Sequence, residues 1–269
     1  ATVDVSTVAE GTFNFNLIAV EDDAANSCSP LSGIATITIN PLPTATISGT
    51  TTICEGATSP EITFTGANGT APYIFTYNIN GGANTTVVST GNTASVNAST
   101  VTNGVFTYNL VSVADASLTN CSQIQTGSAT ITVNPLPIAT ISGTTTICKG
   151  STNPEITFTG ANGTAPYTFT YNINGGANTI VVSTGNTATL SGSAASAGVF
   201  TYNLVSVSDE SANACSQLQT GSTTITVDPL PTATISGTTT ICEGATSPDI
   251  TFTGANGTAP YTFTYNING

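Results

Sequence analysis

The chain has 269 residues, a formal net charge of −13, a single lysine or arginine, and no histidine, tryptophan or methionine. Without histidine there is no Ser-His or Cys-His dyad and no imidazole metal ligand, and one cation cannot neutralise a phosphate backbone, which excludes nucleic-acid partners. Charged residues make up 6% of the chain, against roughly a quarter in a typical soluble domain, while 39% are hydrophobic. This composition, rich in threonine, predicts a packed all-β protein.

One passage occurs three times, beginning at Pro41-Leu42-Pro43, Pro135-Leu136-Pro137 and Pro229-Leu230-Pro231, which are 94 residues apart. A period of this length is typical of one small β domain. We therefore divide the chain into a leading segment (1–40) that matches the end of a repeat, repeat A (41–134), repeat B (135–228), and a trailing segment (229–269) that matches the beginning of a repeat. Since both end segments match only parts of a repeat, we expect the chain to be a window from a longer array.

Alternation of apolar and polar residues between turn signals predicts seven strands and no helix in repeat A. In the third strand, Tyr73, Phe75, Tyr77 and Ile79 share the face expected to form the core, and Ile74 lies on the outer face. In the sixth, we expect Phe106, Tyr108 and Leu110 to point inward. The predicted strands are 44–48, 61–65, 73–79, 85–89, 93–97, 105–113 and 128–133.

Asparagine and glycine mark the predicted turns. Asn80-Gly81 predicts a two-residue hairpin, because both residue types accept positive φ. Asn68-Gly69 predicts the turn between the second and third strands, although Asn-Gly-Thr at 68 also matches the N-glycosylation pattern. Seven short strands in about 94 residues are typical of an immunoglobulin-like sandwich. The expected fold class is a linear array of tandem immunoglobulin-like β-sandwich repeats.

Cysteines follow the repeat: Cys54 and Cys121 lie in repeat A, Cys148 and Cys215 in repeat B, and Cys28 and Cys242 in the end segments. Two per repeat predict structural disulfides and an oxidising extracellular location, with six buried free thiols as the alternative. A bridge within each repeat is our first expectation, although a standard immunoglobulin topology places Cys54 and Cys121 at opposite ends. The alternative is a bridge between repeats, for example from Cys54 to Cys215. A zinc site would lack half of its usual ligands.

The three Pro-Leu-Pro linkers each fix two φ angles and favour an extended preceding residue, which predicts short, stiff connections. Neighbouring repeats of the same chain are therefore the expected partners in a rod-like array. We expect Leu42, Leu136 and Leu230 to wedge against the neighbouring repeat, with mobile linkers and exposed leucines as the alternative.

Candidate chemistry is sparse. The only acid cluster, Glu21-Asp22-Asp23, is matched by Asp115 alone in repeat A and by Asp209-Glu210 in repeat B. Carboxylates on a loop are calcium ligands, but this spacing matches no calcium-loop motif, so we expect a solvated loop. Glu55 and Glu61 lie near one turn without anything that holds them as a catalytic pair. We expect no enzyme activity, no cofactor and no metal. No apolar run reaches the roughly 20 residues that cross a bilayer, so no direct membrane insertion of this segment is expected.

Four motifs carry a family resemblance: Gly-Thr-Thr-Thr-Ile-Cys-Glu-Gly around Cys54, Ala-Pro-Tyr-Ile-Phe-Thr-Tyr at 71–77, Gly-Val-Phe-Thr-Tyr at 104–108, and Asn120-Cys121. They resemble the PKD-like and immunoglobulin-like repeats of very large Bacteroidota surface proteins, and most nearly those of gliding-motility adhesins of the SprB type. The likeness spans both repeats and both end segments. It implies secretion by the type IX system, anchorage of the parent protein at the outer membrane, and transport along the cell surface.

These observations together predict a non-enzymatic shaft segment of a secreted, repetitive cell-surface adhesin for gliding motility or attachment. Surface polysaccharide or a substratum is the expected external partner. One alternative is a weak multivalent glycan-binding module with Asn68, Asn84 and Asn92 as contacts. Another is a self-assembling extracellular filament, since the sheet edges carry little charge to block pairing between chains.

Overall fold

The computed structural model describes residues 2–20 and 33–268. Within these residues the chain forms 22 strands and no helix, which confirms the all-β prediction. No helix that could span a membrane occurs in this part of the chain. The chain divides into two compact units, Ala1–Asn134 and Pro135–Gly269, and each contains one complete repeat and one end segment.

The N-terminal unit begins with a two-stranded sheet and continues into the sandwich of repeat A. In the leading segment, β1 (Gly11–Leu17) pairs antiparallel with β2 (Gly33–Ile39). Repeat A contains β3 (Thr44–Ser48), β4 (Thr51–Cys54), β5 (Glu61–Ala67), β6 (Ile74–Ile79), β7 (Thr85–Val88), β8 (Thr93–Asn97), β9 (Gly104–Ala114), β10 (Ser122–Ile124) and β11 (Ser128–Asn134).

Two sheets of repeat A face each other in an immunoglobulin-like sandwich. The smaller sheet has the order β3-β5-β8, and the larger has the order β4-β11-β9-β6-β7, with β10 added to β9. All pairs are antiparallel except β4 with β11, which run parallel from Thr51 opposite Ile131 to Cys54 opposite Asn134.

Aromatic rings from both sheets fill the core of repeat A. Phe64 of β5 stacks on Phe75 of β6 with ring centroids 5.6 Å apart, and it lies 5.1 Å from Tyr77. Tyr73, Phe75 and Tyr77 are buried and Ile74 is exposed, as the alternation predicts. The inward assignment of Ile79 is wrong: this residue is 40% exposed because it ends β6 beside the Asn80 turn, beyond the packed rings.

Repeat B has the same architecture. Its strands are β12 (Ile138–Ser142), β13 (Thr145–Cys148), β14 (Glu155–Ala161), β15 (Thr168–Ile173), β16 (Thr179–Val182), β17 (Thr187–Ser191), β18 (Gly198–Ser208), β19 (Ser216–Leu218) and β20 (Ser222–Asp228). The sheet orders are β12-β14-β17 and β13-β20-β18-β15-β16, with β19 on β18. A second core, built around Phe158 and Phe169, occupies the same positions as that of repeat A.

The trailing segment forms only part of a repeat. Its β21 (Thr232–Ser236) pairs antiparallel with β22 (Thr251–Ala255), as β3 pairs with β5 in repeat A. Residues 262–267 match β6 in sequence but form no strand.

The structure corrects two details of the strand prediction. β4 and β10 are additional strands, so each complete repeat has nine strands rather than seven. Asn80 and Gly81 both have positive φ, 52° and 73°, but the hairpin is longer than two residues because β7 begins only at Thr85. Asn68 has a φ of 62° in the turn after β5, as expected.

Candidate functional site

Each complete sandwich has two poles with different residues. In repeat A, the proximal pole contains Pro43, the turn at 68–70 and the loop at 115–121, while the distal pole contains the ends of β4 and β11. β9 connects the two poles, since Gly104 pairs with Val133 at the distal pole and Ala114 pairs with Ser122 at the proximal pole.

Asp115 organises the proximal pole of repeat A. Its carboxylate is buried, and Oδ2 accepts a hydrogen bond from Thr70 N at 3.0 Å. Oδ1 accepts hydrogen bonds from Ser117 Oγ at 2.7 Å and from Ser117 N at 3.3 Å. The Asp115 N–H donates to the carbonyl of Cys121 at 3.0 Å, which closes the loop. The carboxylate therefore ties the 68–70 turn to the end of β9.

The pKa of Asp115 follows from two opposing effects. Burial raises the pKa, while hydrogen bonds from the Ser117 side chain and from the backbone of Thr70, Ser117 and Cys121 lower it. The hydrogen bonds prevail, so the pKa of Asp115 lies below its ordinary value. Asp115 is consequently a structural carboxylate that favours its ionised form.

Gly69 allows Pro43 and Asp115 to approach the same turn. A Cβ at position 69 would lie 2.8 Å from Asp115 Oδ2 and 3.1 Å from Pro43 Cβ. The Tyr73 hydroxyl accepts from Gly69 N at 3.1 Å and donates to Gly69 O at 2.9 Å. Pro43 is buried, so the last residue of the linker is packed against the sandwich of repeat A.

Gly66 is a second required glycine, and the alternation of apolar residues does not indicate its role. A Cβ at this position would lie 2.5 Å from Cγ of Tyr73, so the tyrosine ring packs directly on the backbone of β5. Gly160 with Tyr167 and Gly254 with Tyr261 have the same geometry. The available signal was the recurrence of glycine at one position of the second predicted strand in all three copies.

Repeat B contains the same network at its proximal pole. Asp209 is buried and accepts hydrogen bonds from Thr164 N at 3.0 Å and from Ser211 Oγ at 2.7 Å. Tyr167 donates its hydroxyl hydrogen to Gly163 O at 2.9 Å. Both complete repeats therefore have the same buried aspartate network at the proximal pole.

The bonding states of the cysteines contradict our first expectation, a disulfide within each repeat. Cys54 and Cys215 are disulfide-bonded, whereas Cys121, Cys148 and Cys242 are free thiols. The bridge that we expected within each repeat is absent, because each repeat contains one bonded and one free cysteine.

The physical reason is the separation of the poles. Cys54 ends β4 at the distal pole, and Cys121 precedes β10 at the proximal pole. The eleven residues of β9 between them span about 33 Å at 3.3 Å per residue, while a disulfide requires Cα atoms within about 7 Å. The alternative of a bridge between repeats stays a prediction.

The linker leucines are more exposed than the predicted wedge against a neighbouring repeat requires. Leu42 and Leu230 are 55% and 54% exposed, and Leu136 is partly exposed. Among the linker prolines, Pro43 and Pro137 are buried, whereas Pro41, Pro229 and Pro231 are exposed and Pro135 is intermediate. In repeats A and B, the second proline of the linker, Pro43 or Pro137, is therefore the buried linker residue, and the leucine is not.

The three candidate glycan contacts are not brought together as one site. The Glu21-Asp22-Asp23 cluster lies outside the described residues. Within residues 2–20 and 33–268, no group of three or more His, Cys, Asp or Glu residues could hold a metal ion. Asn68 and Asn92 flank Gly66 at the proximal pole, but Asn84 lies in the β6–β7 loop, where its Oδ1 accepts from Asn78 Nδ2.

Comparison with known proteins gives fold-level similarities. No protein-family model matches the chain, and no curated protein matches it. A Ca²⁺-stabilised adhesin with which an Antarctic bacterium binds ice is 19% identical at a TM-score of 0.43, with 84% of this chain and 60% of that one covered. A tetra-tandem repeat from the extending region of a large adhesion protein is 17% identical at a TM-score of 0.33, with 85% and 59% covered.

Fibronectin(III)-like modules of CbhA from Clostridium thermocellum are 15% identical at a TM-score of 0.28, with 69% of this chain and 95% of that one covered. This chain spans about 60% of the length of the two adhesin structures. None of these three TM-scores reaches 0.5.

Proposed function

We propose that this chain is a load-bearing shaft segment of a secreted cell-surface adhesin and has no enzymatic activity. The observation that carries the proposal is that repeats A and B each enclose their own complete core and each pair their second strand, β4 or β13, in parallel with their last strand, β11 or β20. A segment built in this way holds distance and bears tension without any ligand.

Parallel terminal strands determine how a repeat responds to force. Tension on repeat A pulls its N-terminal part, with β3 and β4, against β11 at its C-terminus. Since β4 and β11 run parallel, the pull acts along the strands in opposite directions, and the hydrogen bonds from Thr51–Ile131 to Cys54–Asn134 are loaded together in shear. An antiparallel terminal pair would open one hydrogen bond at a time.

The linker supports the same function. Pro43 cannot rotate about φ and is packed beside Gly69, so tension from the linker is delivered to the proximal pole that Asp115 closes. Abundant hydroxyl side chains and a net charge of −13 favour a soluble shaft.

We further propose that the parent protein is a gliding-motility adhesin of Bacteroidota, exported by the type IX system and anchored at the outer membrane. Its repeats would project a distal adhesive end toward surface polysaccharide or a substratum. The support is the motif resemblance around Cys54, at 71–77, at 104–108 and at Asn120-Cys121. The complete reading frame tests this proposal: a signal peptide and a C-terminal sorting domain are expected, and a cytoplasmic enzyme domain in the same frame would refute it.

Single-molecule force spectroscopy tests the mechanical role. The chain is pulled from its two ends in a thiol reductant, so that no disulfide limits extension. We expect two high-force unfolding events, one for each complete repeat, each releasing roughly 30 nm of chain at 3.3–3.6 Å per residue. Ile53→Pro in β4 should lower the force of one event and leave the other unchanged, because proline removes a backbone donor from the strand and its ring does not fit the ladder.

The matched control is Thr86→Pro in β7, which lies at the sheet edge away from the β4–β11 pair. This variant should lower stability without an equal loss of unfolding force. Equal loss of force in both variants, or featureless extension of the unsubstituted chain, would show that the terminal strand pair does not bear the load.

A further inference from the structure

Asparagine followed by glycine is the dipeptide at which a protein chain most readily loses a side-chain amide without any enzyme. The glycine nitrogen attacks the preceding carboxamide carbon, and glycine has no Cβ to obstruct the approach. Repeats A and B contain five such pairs, which begin at Asn68, Asn80, Asn103, Asn162 and Asn174. Because the five pairs share this chemistry, the contacts of each carboxamide in the folded chain decide which pair reacts.

Hydrogen bonds hold the carboxamide in three of the five pairs. Asn80 Nδ2 donates to a carbonyl of β9 at 3.2 Å, and its Oδ1 accepts from Thr107 N at 2.8 Å. Asn174 makes the same two contacts with β18. Asn103 Nδ2 donates to the carboxylate of Glu55 at 3.2 Å. These contacts must break before the carboxamide can turn toward the glycine nitrogen.

The two remaining pairs, Asn68-Gly69 and Asn162-Gly163, differ in one contact. Asn68 Nδ2 donates to Thr44 Oγ1 at 3.2 Å. In repeat B the position of Thr44 is occupied by Ile138, whose side chain has no polar atom. In the part of the chain that the structure describes, the Asn162 carboxamide has no hydrogen-bond partner. Asn162 is therefore the one carboxamide of the five that is not held in place.

The surroundings of these two pairs match in the other respects that govern the reaction. Residues 61–73 and 155–167 are identical in sequence. Both asparagines are exposed, with φ angles of 62° and 64°. Gly69 N and Gly163 N each donate to a tyrosine hydroxyl, at 3.1 and 3.2 Å. The attacking nitrogen, its sequence context and its access to water are thus matched, and the tether on the carboxamide is the difference.

We propose that Asn162 is a modification site at which repeat B forms a succinimide and then isoaspartate. Gly163 N attacks Asn162 Cγ, so the N–Cγ bond forms and the Cγ–Nδ2 bond breaks. The proton of Gly163 N leaves with the amide group as ammonia. Water then opens the ring, either at Cγ to give aspartate or at the backbone carbonyl to give isoaspartate. The net reaction consumes one water and releases one ammonia, without any oxidation or reduction.

Isoaspartate weakens the proximal pole of repeat B. It adds one carbon atom to the main chain between positions 162 and 163. The Tyr167 hydroxyl is bonded to both backbone polar groups of Gly163, and Thr164 N donates to the buried Asp209 carboxylate at 3.0 Å. A lengthened main chain displaces these donors, so the carboxylate of Asp209 is less well satisfied. The modification therefore destabilises repeat B and leaves repeat A unchanged.

Ageing of the full chain at mildly alkaline pH, followed by peptic digestion and mass spectrometry, tests the proposal. Peptides that span 61–75 and 155–169 differ in mass, so both sites are measured in one sample. In the folded chain, Asn162 should convert about 2- to 10-fold faster than Asn68, which is the rate ratio expected when one neutral hydrogen bond must break first. In guanidinium chloride the two rates should be equal, because the local sequences are identical.

Reciprocal variants assign the difference to the tether. Ile138→Thr should slow conversion of Asn162 to the rate of Asn68, and Thr44→Ile should accelerate conversion of Asn68. Thr46→Ile is the matched control, since this exposed residue lies on the same strand and leaves Thr44 in place. It should not change the rate at Asn68. All three positions lie outside the buried cores, so these variants should remain folded.

Three results would overturn the proposal: equal rates at the two sites in the folded chain, no effect of Ile138→Thr, or equal acceleration by Thr44→Ile and Thr46→Ile. Asn162 that stays intact in the folded chain while the unfolded sample converts would also refute it. Urea denaturation of the aged chain measures the consequence. Repeat B should unfold at a lower urea concentration than in the fresh chain, and unchanged unfolding of repeat B would show that isoaspartate does not weaken the pole.

Discussion

Tyr73 contacts Gly66 through its ring and Gly69 through its hydroxyl, and these two contacts join the residue before β6 to β5 of the opposite sheet and to the proximal turn. The ring can lie on the β5 backbone only because position 66 has no Cβ. The hydroxyl then satisfies both backbone groups of Gly69, so a large buried side chain leaves no polar atom without a partner. The contact recurs in repeat B, where Tyr167 replaces Tyr73.

Gly66→Ala tests this contact. The added Cβ would be 2.5 Å from the ring of Tyr73, which is 2% exposed and cannot move into solvent. We expect a loss of about 1–3 kcal/mol in the free energy of unfolding of repeat A, measured by urea denaturation followed by circular dichroism. Repeat B should unfold as before.

Two controls separate the clash from a general effect of alanine. Gly33→Ala places a Cβ in open space and should change stability by less than about 0.5 kcal/mol. In a Tyr73→Leu background, Gly66→Ala should cost less than in the unsubstituted chain, because the ring is absent. Additive effects of the two substitutions would show that Gly66 does not act through Tyr73.

Asp115→Asn tests the buried carboxylate. At neutral pH the substitution should cost about 1–3 kcal/mol, since amide nitrogen replaces one of the two acceptor oxygens and the hydrogen bonds to a charged group are lost. Because the pKa of Asp115 is lower in the folded state, its contribution is present above the unfolded-state pKa near 4 and is lost as the pH falls through the folded-state value.

The pH dependence gives the decisive readout. The stability difference between the Asp115→Asn variant and the unsubstituted chain should be largest near pH 7 and should shrink as the pH approaches 2. Glu61→Gln, at an exposed position at the start of β5, serves as the control and should show little difference at pH 7. A difference that stays constant from pH 7 to pH 2 would mean that the charge of Asp115 is not what stabilises the loop.

At the scale of elements, the alternation of apolar residues was sufficient to predict strands with one buried face. It located β3 and β8 at their observed bounds, and it correctly placed Tyr73, just before β6, and Phe75 and Tyr77 of β6 on the inward face. It could not predict the irregularity in β9. The register with β6 shifts between Thr76 and Tyr77, and Val111 is the extra residue.

This shift moves the inward face of β9 by one residue. Tyr108 and Leu110 are buried in step with a period of two, but the next buried residue is Val113 rather than Ser112. A bulge depends on the match between two strands that are distant in sequence, so no local pattern contains it. The same explanation applies to β4, which has four residues and is stabilised by a parallel pairing with β11 about eighty residues later.

At the scale of the whole molecule, the described residues contain one core in each complete repeat, and the states of the cysteines depend on which pole each one occupies. Counting two cysteines per repeat favoured a bridge within the repeat. The poles are separated by the full length of β9, and this distance is set by the strand rather than by the spacing of cysteines in the sequence. The standard immunoglobulin topology, which places Cys54 and Cys121 at opposite ends of the sandwich, therefore predicted the absence of this bridge better than the cysteine count.

Alkylation and peptide mapping test the cysteine states. In the folded chain without reductant, we expect Cys148, which is exposed, and Cys121, which is partly exposed, to react with iodoacetamide, and Cys54 and Cys215 to remain unmodified until reduction. In a Cys54→Ser variant, the newly alkylated cysteine identifies the partner of Cys54 directly. Cys215 in that role would support the bridge between repeats that the sequence left open. A peptide pair of Cys54 with Cys121 would contradict the structure, because such a bond cannot form while β9 spans the repeat from pole to pole.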